Sequence, residues 1–171
     1  MGTHHFLKSG TVHQKRNKKT IKVCFASSSG GHFEQLMMLQ PLMEKYDSFI
    51  LTEETYYQVH AGGVRMYLMK KVIPIDRFYH FWSFVNAAHS FLIFLKERPD
   101  AVISTGVMVT VPMCIYAKLF GRKVIYIESF AKVSSPTKTG RFLYRFADRF
   151  YVQWESMLEV YPKARYLGGI Y

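Results

Sequence analysis

Residues 21–32 read IKVCFASSSGGH. The first six alternate β-branched, aromatic and small apolar residues and predict a buried strand. SSSGG is a turn. From His32 onward the apolar residues Phe33, Leu36, Met37, Leu39, Leu42 and Met43 fall at helical spacing, predicting a helix over 32–46. Strand, glycine turn and helix in that order are the opening unit of a parallel α/β sheet. The rest of the chain repeats the alternation. Strands are expected at 48–52, 68–74, 101–104, 123–127, 149–152 and 164–167, with 55–67 left open. Helices are expected at 78–96, at 109–120 with Pro112 in the first turn, at 139–147, and as a turn around 154–160. The expected fold class is therefore α/β, a Rossmann-like parallel sheet with helices on both faces.

In open sheets of this kind ligands bind at the carboxyl ends of strands. Ser28, Ser29, Gly30 and Gly31 occupy that position after the first strand. Two readings stand side by side. One is an anion- or sugar-contacting turn, since glycine lets backbone N–H groups approach a ligand. The other is a tight strand–helix connection with serine as helix cap. The turn is neither GxGxxG nor GK[ST], so the usual dinucleotide and P-loop motifs are absent. His32 taken alone reads as a hydrogen-bonded surface histidine. Beside a ligand it becomes a base or a donor to a sugar hydroxyl or diphosphate, because imidazole titrates near neutrality.

The 171 residues suit one domain, and 49% hydrophobic with 20% charged residues is a globular balance rather than a disordered one. The formal charge is +11. Six of the 23 Lys and Arg lie in residues 1–22, which contain no acid. That leaves 17 basic against 12 acidic groups, or +5, for residues 23–171. The first 20 residues are polar and rich in His and Lys, and are set aside as a leader or tail, with 21–171 as one Rossmann-like half. The excess charge suits an anionic partner: nucleic acid, lipid headgroup or phosphorylated substrate. No nucleic-acid motif accompanies it, so nucleic acid is not the expected partner. Cys24 and Cys114 sit in apolar runs and read as core residues, and no Cys/His cluster has zinc spacing, so no metal is expected. No signal peptide and no 18-residue apolar run is present, so a cytoplasmic chain without a spanning helix is expected.

Three segments in register make the motif specific: SSSGGH at 27–32, STGVMVTVP at 104–112, and IESF at 127–130 followed by GRFLYRFADRF at 140–150. Together they resemble the amino-terminal half of a GT-B glycosyltransferase, of the type of the peptidoglycan lipid-linked GlcNAc transferase family. A second, nucleotide-binding Rossmann domain does not fit in the remaining length. The closer resemblance is therefore to the split enzymes: the membrane-anchor subunit of the two-subunit UDP-GlcNAc transferase of N-glycan assembly, and its bacterial relatives of capsule and exopolysaccharide operons. That resemblance implies an acceptor-binding, membrane-associating subunit, inactive without a small sugar-nucleotide-binding partner. The complex would transfer sugar from UDP-sugar to a polyprenyl-diphosphate-linked saccharide on the inner face of the plasma membrane. No cofactor is implied, and the UDP-sugar would lie mainly on the partner. Carried onto this chain, Ser28, Ser29, Gly30, Gly31, Gly106 and Val107 would face the acceptor. His32 and Glu128 become the candidate catalytic pair, His32 as base and Glu128 touching sugar or orienting His32. The first turn departs from the single-chain GGTGGH, and Val107-Met108 stands where those enzymes commonly carry Gly and an aromatic.

Two surfaces accompany this reading. Over 78–95, Phe78, Trp82, Val85, Leu92 and Leu95 form one helical stripe expected to face the sheet. The surplus aromatics, with Phe81, Trp82, Phe84 and Phe91 as membrane candidates, mark either an interfacial helix or one buried on two sides. Arg141, Arg145 and Arg149 recur at i, i+4 and i+8, either as a solvated basic face or as contacts to anionic lipid. Two further function classes are a self-sufficient small nucleotide-dependent transferase and a basic nucleic-acid-binding module.

Overall fold

The computed structural model describes residues 20–54, 62–73, 75 and 77–171. Seven strands form one parallel sheet: β1 Lys22–Ala26, β2 Asp47–Glu53, β3 Arg65–Met69, β4 Ala101–Ser104, β5 Lys123–Ile127, β6 Arg149–Val152 and β7 Arg165–Tyr166. Their spatial order is β3-β2-β1-β4-β5-β6-β7. The chain first builds leftward from β1, then returns across the sheet to lay β4 on the other side of β1, in the register Val23 to Ala101 and Ala26 to Ser104. Helices α1 Gly31–Met37 and α2 Gln40–Met43 cover one face. Helices α3 Tyr79–Glu97, α4 Val111–Leu119, α5 Lys138–Leu143 and α6 Met157–Val160 serve the other.

Strand alternation assigns the two cores. Val23, Phe25, Ile50, Ile103 and Ile127 point toward Phe33, Leu36 and Met43. Cys24, Phe49, Leu51, Val102 and Val124 point toward Ile93, Phe94, Met113 and Leu143. A sheet covered on both faces needs near-continuous apolar strands, which is what IKVCFA and SFIL provide. Both cysteines are buried and unpaired. Burial pushes their thiols up, Cys114 to about 12, so they remain protonated core residues.

Several elements differ from the sequence expectation. The helix expected over 32–46 is two, because Pro41 stands at the start of α2 and has no N–H to continue the ladder. The third strand lies at Arg65–Met69 rather than 68–74. Pairing of Phe49 with Arg65 through Glu53 with Met69 sets its register, and the side chain of Asn86 then takes the backbone of Lys70 (N to Oδ1 3.1 Å, Nδ2 to O 2.7 Å). Residues 1–19 of the expected leader and 55–61 of the open segment lie outside the described residues. Helix α5 ends at Leu143, so Arg149 belongs to β6 and not to a helical basic stripe. Asp148 immediately precedes that strand, its carboxylate accepting the N–H of Val124 at 3.0 Å.

Helix α3 shows the largest departure. Its buried residues are Asn86, Ser90, Ile93, Phe94 and Glu97, whereas Phe78, Leu92 and Leu95 are exposed and Trp82 and Val85 only half-buried. Polar partners on the sheet side decide the rotation. Asn86 is held by Lys70. Glu97 accepts from Tyr67 Oη at 2.6 Å, Lys22 Nζ at 2.9 Å and Arg65 at 3.2 Å. Phe91 turns against Tyr116 and Phe120 of the α4 region. Phe81 and Phe84 are left in solvent, Phe84 at 73% exposure. The face is therefore not buried on two sides.

Burial by itself raises the Glu97 carboxyl, but the hydrogen bonds from Tyr67 and Lys22 and the charges of Lys22 and Arg65 outweigh it and hold it below the usual range. A carboxyl lowered by folding stabilises above its unfolded pKa and loses that contribution as pH falls through the folded one. Urea midpoints should therefore decline as pH drops below about 4.3. In Glu97→Gln that acid dependence should shrink, with stability reduced by about 2 kcal/mol at neutral pH because Lys22 and Arg65 lose the buried carboxylate between them and keep only Asp47.

Candidate functional site

Strands β1 and β4 are neighbours, and their outgoing connections turn to opposite faces of the sheet. The region between the two tips, called the crevice below, is the place where such sheets bind ligands. The first connection contains the serine–glycine turn. Gly30 adopts φ +74°, which only glycine takes without strain, and a side chain on Gly30 or Gly31 would meet nothing within 4 Å. The turn thus presents bare backbone to open space. Ser28 is buried, its hydroxyl donating to Ser29 O at 3.3 Å.

The second connection carries the strain. Gly106 has φ +120° and Val107 has φ 77°, ψ 153°, a region costly for a β-branched residue. Hydrogen bonds hold the loop there: Gly106 N–H donates to Ser104 Oγ at 3.1 Å, and Thr110 Oγ1 donates to Val107 O at 2.8 Å. Met108–Thr110 forms a 3₁₀ turn that leads into α4.

His32 is clamped between the two connections. Its Nδ1 lies 2.9 Å from Thr105 O, and Thr105 Oγ1 donates to His32 O at 2.9 Å. A carbonyl only accepts, so Nδ1 carries the proton and Nε2 is the ring atom left to act. A Cβ on Gly106 would sit 3.3 Å from the imidazole and 3.3 Å from Tyr126 Oη. Gly106 is therefore glycine for both φ and close approach.

Glu128 is placed differently from expectation. It stands just past β5 but is fully buried, and it does not orient His32. Its carboxylate accepts from Thr137 Oγ1 at 2.9 Å, Tyr161 Oη at 2.9 Å, Ser129 N at 2.9 Å and Tyr126 Oη at 3.3 Å. Burial first, and the Glu128 charge second, push both phenols up, so they stay protonated and donate. A cage of donors satisfies the acid from within, so none of it is offered to a sugar. Its reach toward His32 runs through Tyr126 and Gly106. Thr137 also caps α5, accepting the Gly140 N–H at 2.8 Å. Gln153 closes the next layer, donating to Glu128 O at 2.8 Å and to Gln35 Oε1 at 3.2 Å.

A cavity of about 350 Å³ opens beside the crevice, between the tips of β2 and β4 and the start of α3. Glu53, Val72, Tyr79, Ser83, Val107 and Pro112 are among its lining. Glu53 was not a sequence candidate. Its position shows only after β2 is paired, because an acid closing a strand looks like a surface residue in the sequence. Of the expected site residues, Ser28, Ser29, Gly30, Gly31, His32, Gly106 and Val107 gather at the crevice. Phe81, Trp82, Phe84 and Phe91 lie along α3, and Arg141 and Arg145 are exposed around α5. Among the described residues no three His, Cys, Asp or Glu side chains are grouped to hold a metal, and no helix is long and apolar enough to cross a membrane.

The fold is one half of the GT-B architecture. It superposes on the MurG structure of Acinetobacter baumannii with a TM-score of 0.64, at 15% identity over 80% of this chain and 42% of that one. On a UDP-GlcNAc 2-epimerase of Neisseria meningitidis the TM-score is 0.65, at 11% identity over 88% and 47%. Residues 76–170 match the family described as oligosaccharide biosynthesis protein Alg14 like, and the chain belongs to that family. It is 38% identical over 96 residues to the mouse protein named UDP-N-acetylglucosamine transferase subunit ALG14, covering 53% of this chain and 44% of the relative. The rat relative of the same name is 34% identical over 129 residues, at 70% and 56%. The chain thus spans about half the length of these mammalian relatives. The Candida albicans relative is 30% identical over 183 residues, at 90% and 81%.

Gly140 is the sharpest test of the cage. A Cβ there would lie 2.1 Å from Glu128 Oε2 and 2.8 Å from both Thr137 Oγ1 and Tyr161 Oη. Gly140→Ala should lower stability by about 3 kcal/mol in urea denaturation, beyond the usual range of surface changes.

Proposed function

We propose that this chain is the acceptor-side subunit of a two-polypeptide UDP-GlcNAc transferase that builds a polyprenyl-diphosphate-linked oligosaccharide. The crevice carries the reading. Bare glycine backbone at 30–31, an imidazole with one nitrogen fixed and a strained loop at 106–107 converge there, in a family whose relatives bear transferase-subunit names. The acceptor diphosphate lies over the turn, where Gly30 and Gly31 let backbone approach it. With Nδ1–H held by Thr105, the imidazolium form of His32 donates from Nε2 to a diphosphate oxygen and offsets its charge. Tyr126 and the Glu128 cage support that ring from behind and take no part in chemistry. The UDP-sugar is held mainly by a partner subunit that closes over the crevice. The family description favours oligosaccharide biosynthesis, and the relatives' names favour GlcNAc as the sugar. The capsule and exopolysaccharide setting rests on the sequence resemblance alone.

In this reading the acceptor is a membrane lipid, and a row of exposed apolar side chains supports a membrane-facing side. Phe81, Phe84, Leu92, Leu95, Leu119 and Phe120 are exposed along α3 and the end of α4. This is more apolar surface than isolated exposed side chains account for. We place the chain peripherally on the cytoplasmic leaflet with these residues at headgroup depth, assisted by the exposed Arg141 and Arg145.

Co-expression with the sugar-nucleotide-binding partner should yield transfer of radiolabelled GlcNAc to a polyprenyl-diphosphate-linked acceptor, with neither chain active alone. Transfer by this chain alone would refute the two-polypeptide reading. In the complex, His32→Ala should lower kcat/KM about 100-fold, roughly the loss of one charge-assisted contact, with subunit association unchanged by gel filtration. A Phe81→Ser, Phe84→Ser double variant should bind anionic vesicles at least about tenfold more weakly in co-sedimentation.

A further inference from the structure

Glu53 closes β2 on the same sheet face as Phe49 and Leu51, so its side chain enters the cavity beside the crevice. The walls there are largely apolar, from Val72, Val107, Val109 and Pro112. Asn86 also lines it, but its amide is consumed by the backbone of Lys70. Among the described lining residues the carboxylate of Glu53 is thus the charged group, and Tyr79 and Ser83 contribute hydroxyls. Val107 of the strained loop lines the same cavity. Burial pushes its carboxyl above the usual range, against the opposing effects of Lys71 and Ser29. Apolar walls with a few fixed polar groups suit one sugar ring. A half-buried carboxylate aimed at such a ring has the chemistry of a general base.

We propose that Glu53 is a catalytic residue of the transfer, taking the proton from the attacking hydroxyl of the acceptor sugar seated in this cavity. The inference rests on the transferase reading above. As the acceptor oxygen forms its bond to C1 of the donor sugar, its proton passes to the Glu53 carboxylate. The bond from C1 to the β-phosphate oxygen breaks, and the electron pair leaves on UDP. Glu53 then returns the proton to water. This divides the labour at the crevice: His32 serves the diphosphate, and Glu53 serves the hydroxyl.

The test uses the complete two-subunit complex with UDP-GlcNAc and lipid-linked acceptor. Wild-type kcat should rise with pH on its acid side, since a base works only when deprotonated. Glu53→Gln should lower kcat about 100-fold, leave the acceptor KM within threefold and remove that acid limb. Glu53→Asp should retain part of the activity. Added formate should restore turnover to Glu53→Ala at least tenfold by supplying a carboxylate in the vacated space, a readout that a merely structural role would not show. The proposal is overturned if the acid limb survives in Glu53→Gln and vanishes in His32→Gln. It is equally overturned if acceptor KM rises while kcat holds, or if formate restores nothing. Absence of transfer by the wild-type complex would instead sink the transferase reading itself, before any variant is compared.

Discussion

The side-by-side placement of β1 and β4 is the constraint on which the site depends. Because the chain builds β1, β2 and β3 outward and then returns to lay β4 against β1, the two connections leaving these strands must diverge. Such diverging connections bring two loops together at the strand tips. They are the glycine turn on one side and the Gly106–Val107 loop on the other. His32 bridges them through its hydrogen bonds with Thr105. Residues 73 positions apart in sequence thus become a single unit.

The surroundings hold those loops in place. Val107 in a glycine-like conformation persists because Ser104 and Thr110 over-determine the loop. Behind it, the Glu128 cage fixes the start of the 129–137 connection and the cap of α5 at once. A buried carboxylate without a neighbouring cation is costly unless several donors reach it. Here Thr137, Tyr161, Tyr126 and the Ser129 N–H all do. Packing so close that Gly140 has no space for a methyl group makes this region stiff. A stiff floor keeps the residues that line the crevice in fixed positions.

The two faces of the sheet differ in what covers them. The α1 face is closed by apolar packing and by the chain end, where Ile170 N–H reaches Gln153. The opposite face carries α3 and α4, the cavity near Glu53 and the unburied aromatics.

Local pattern determined much of this protein. Alternating strands and helices, the glycine turn at a strand tip, the core cysteines and the basic balance all follow from side-chain type and short-range spacing, because burial on a parallel sheet demands them. The three motifs, taken in register, also carried the resemblance to half of a GT-B enzyme. Only the tertiary structure decided which face α3 buries, since hydropathy could not know that Asn86 and Glu97 would find partners on β3 and β1. It likewise decided that Glu128 is caged while Glu53 faces a cavity. A carboxylate reads the same in sequence whether its neighbours are donors or empty space, and those neighbours come from strands and helices far along the chain.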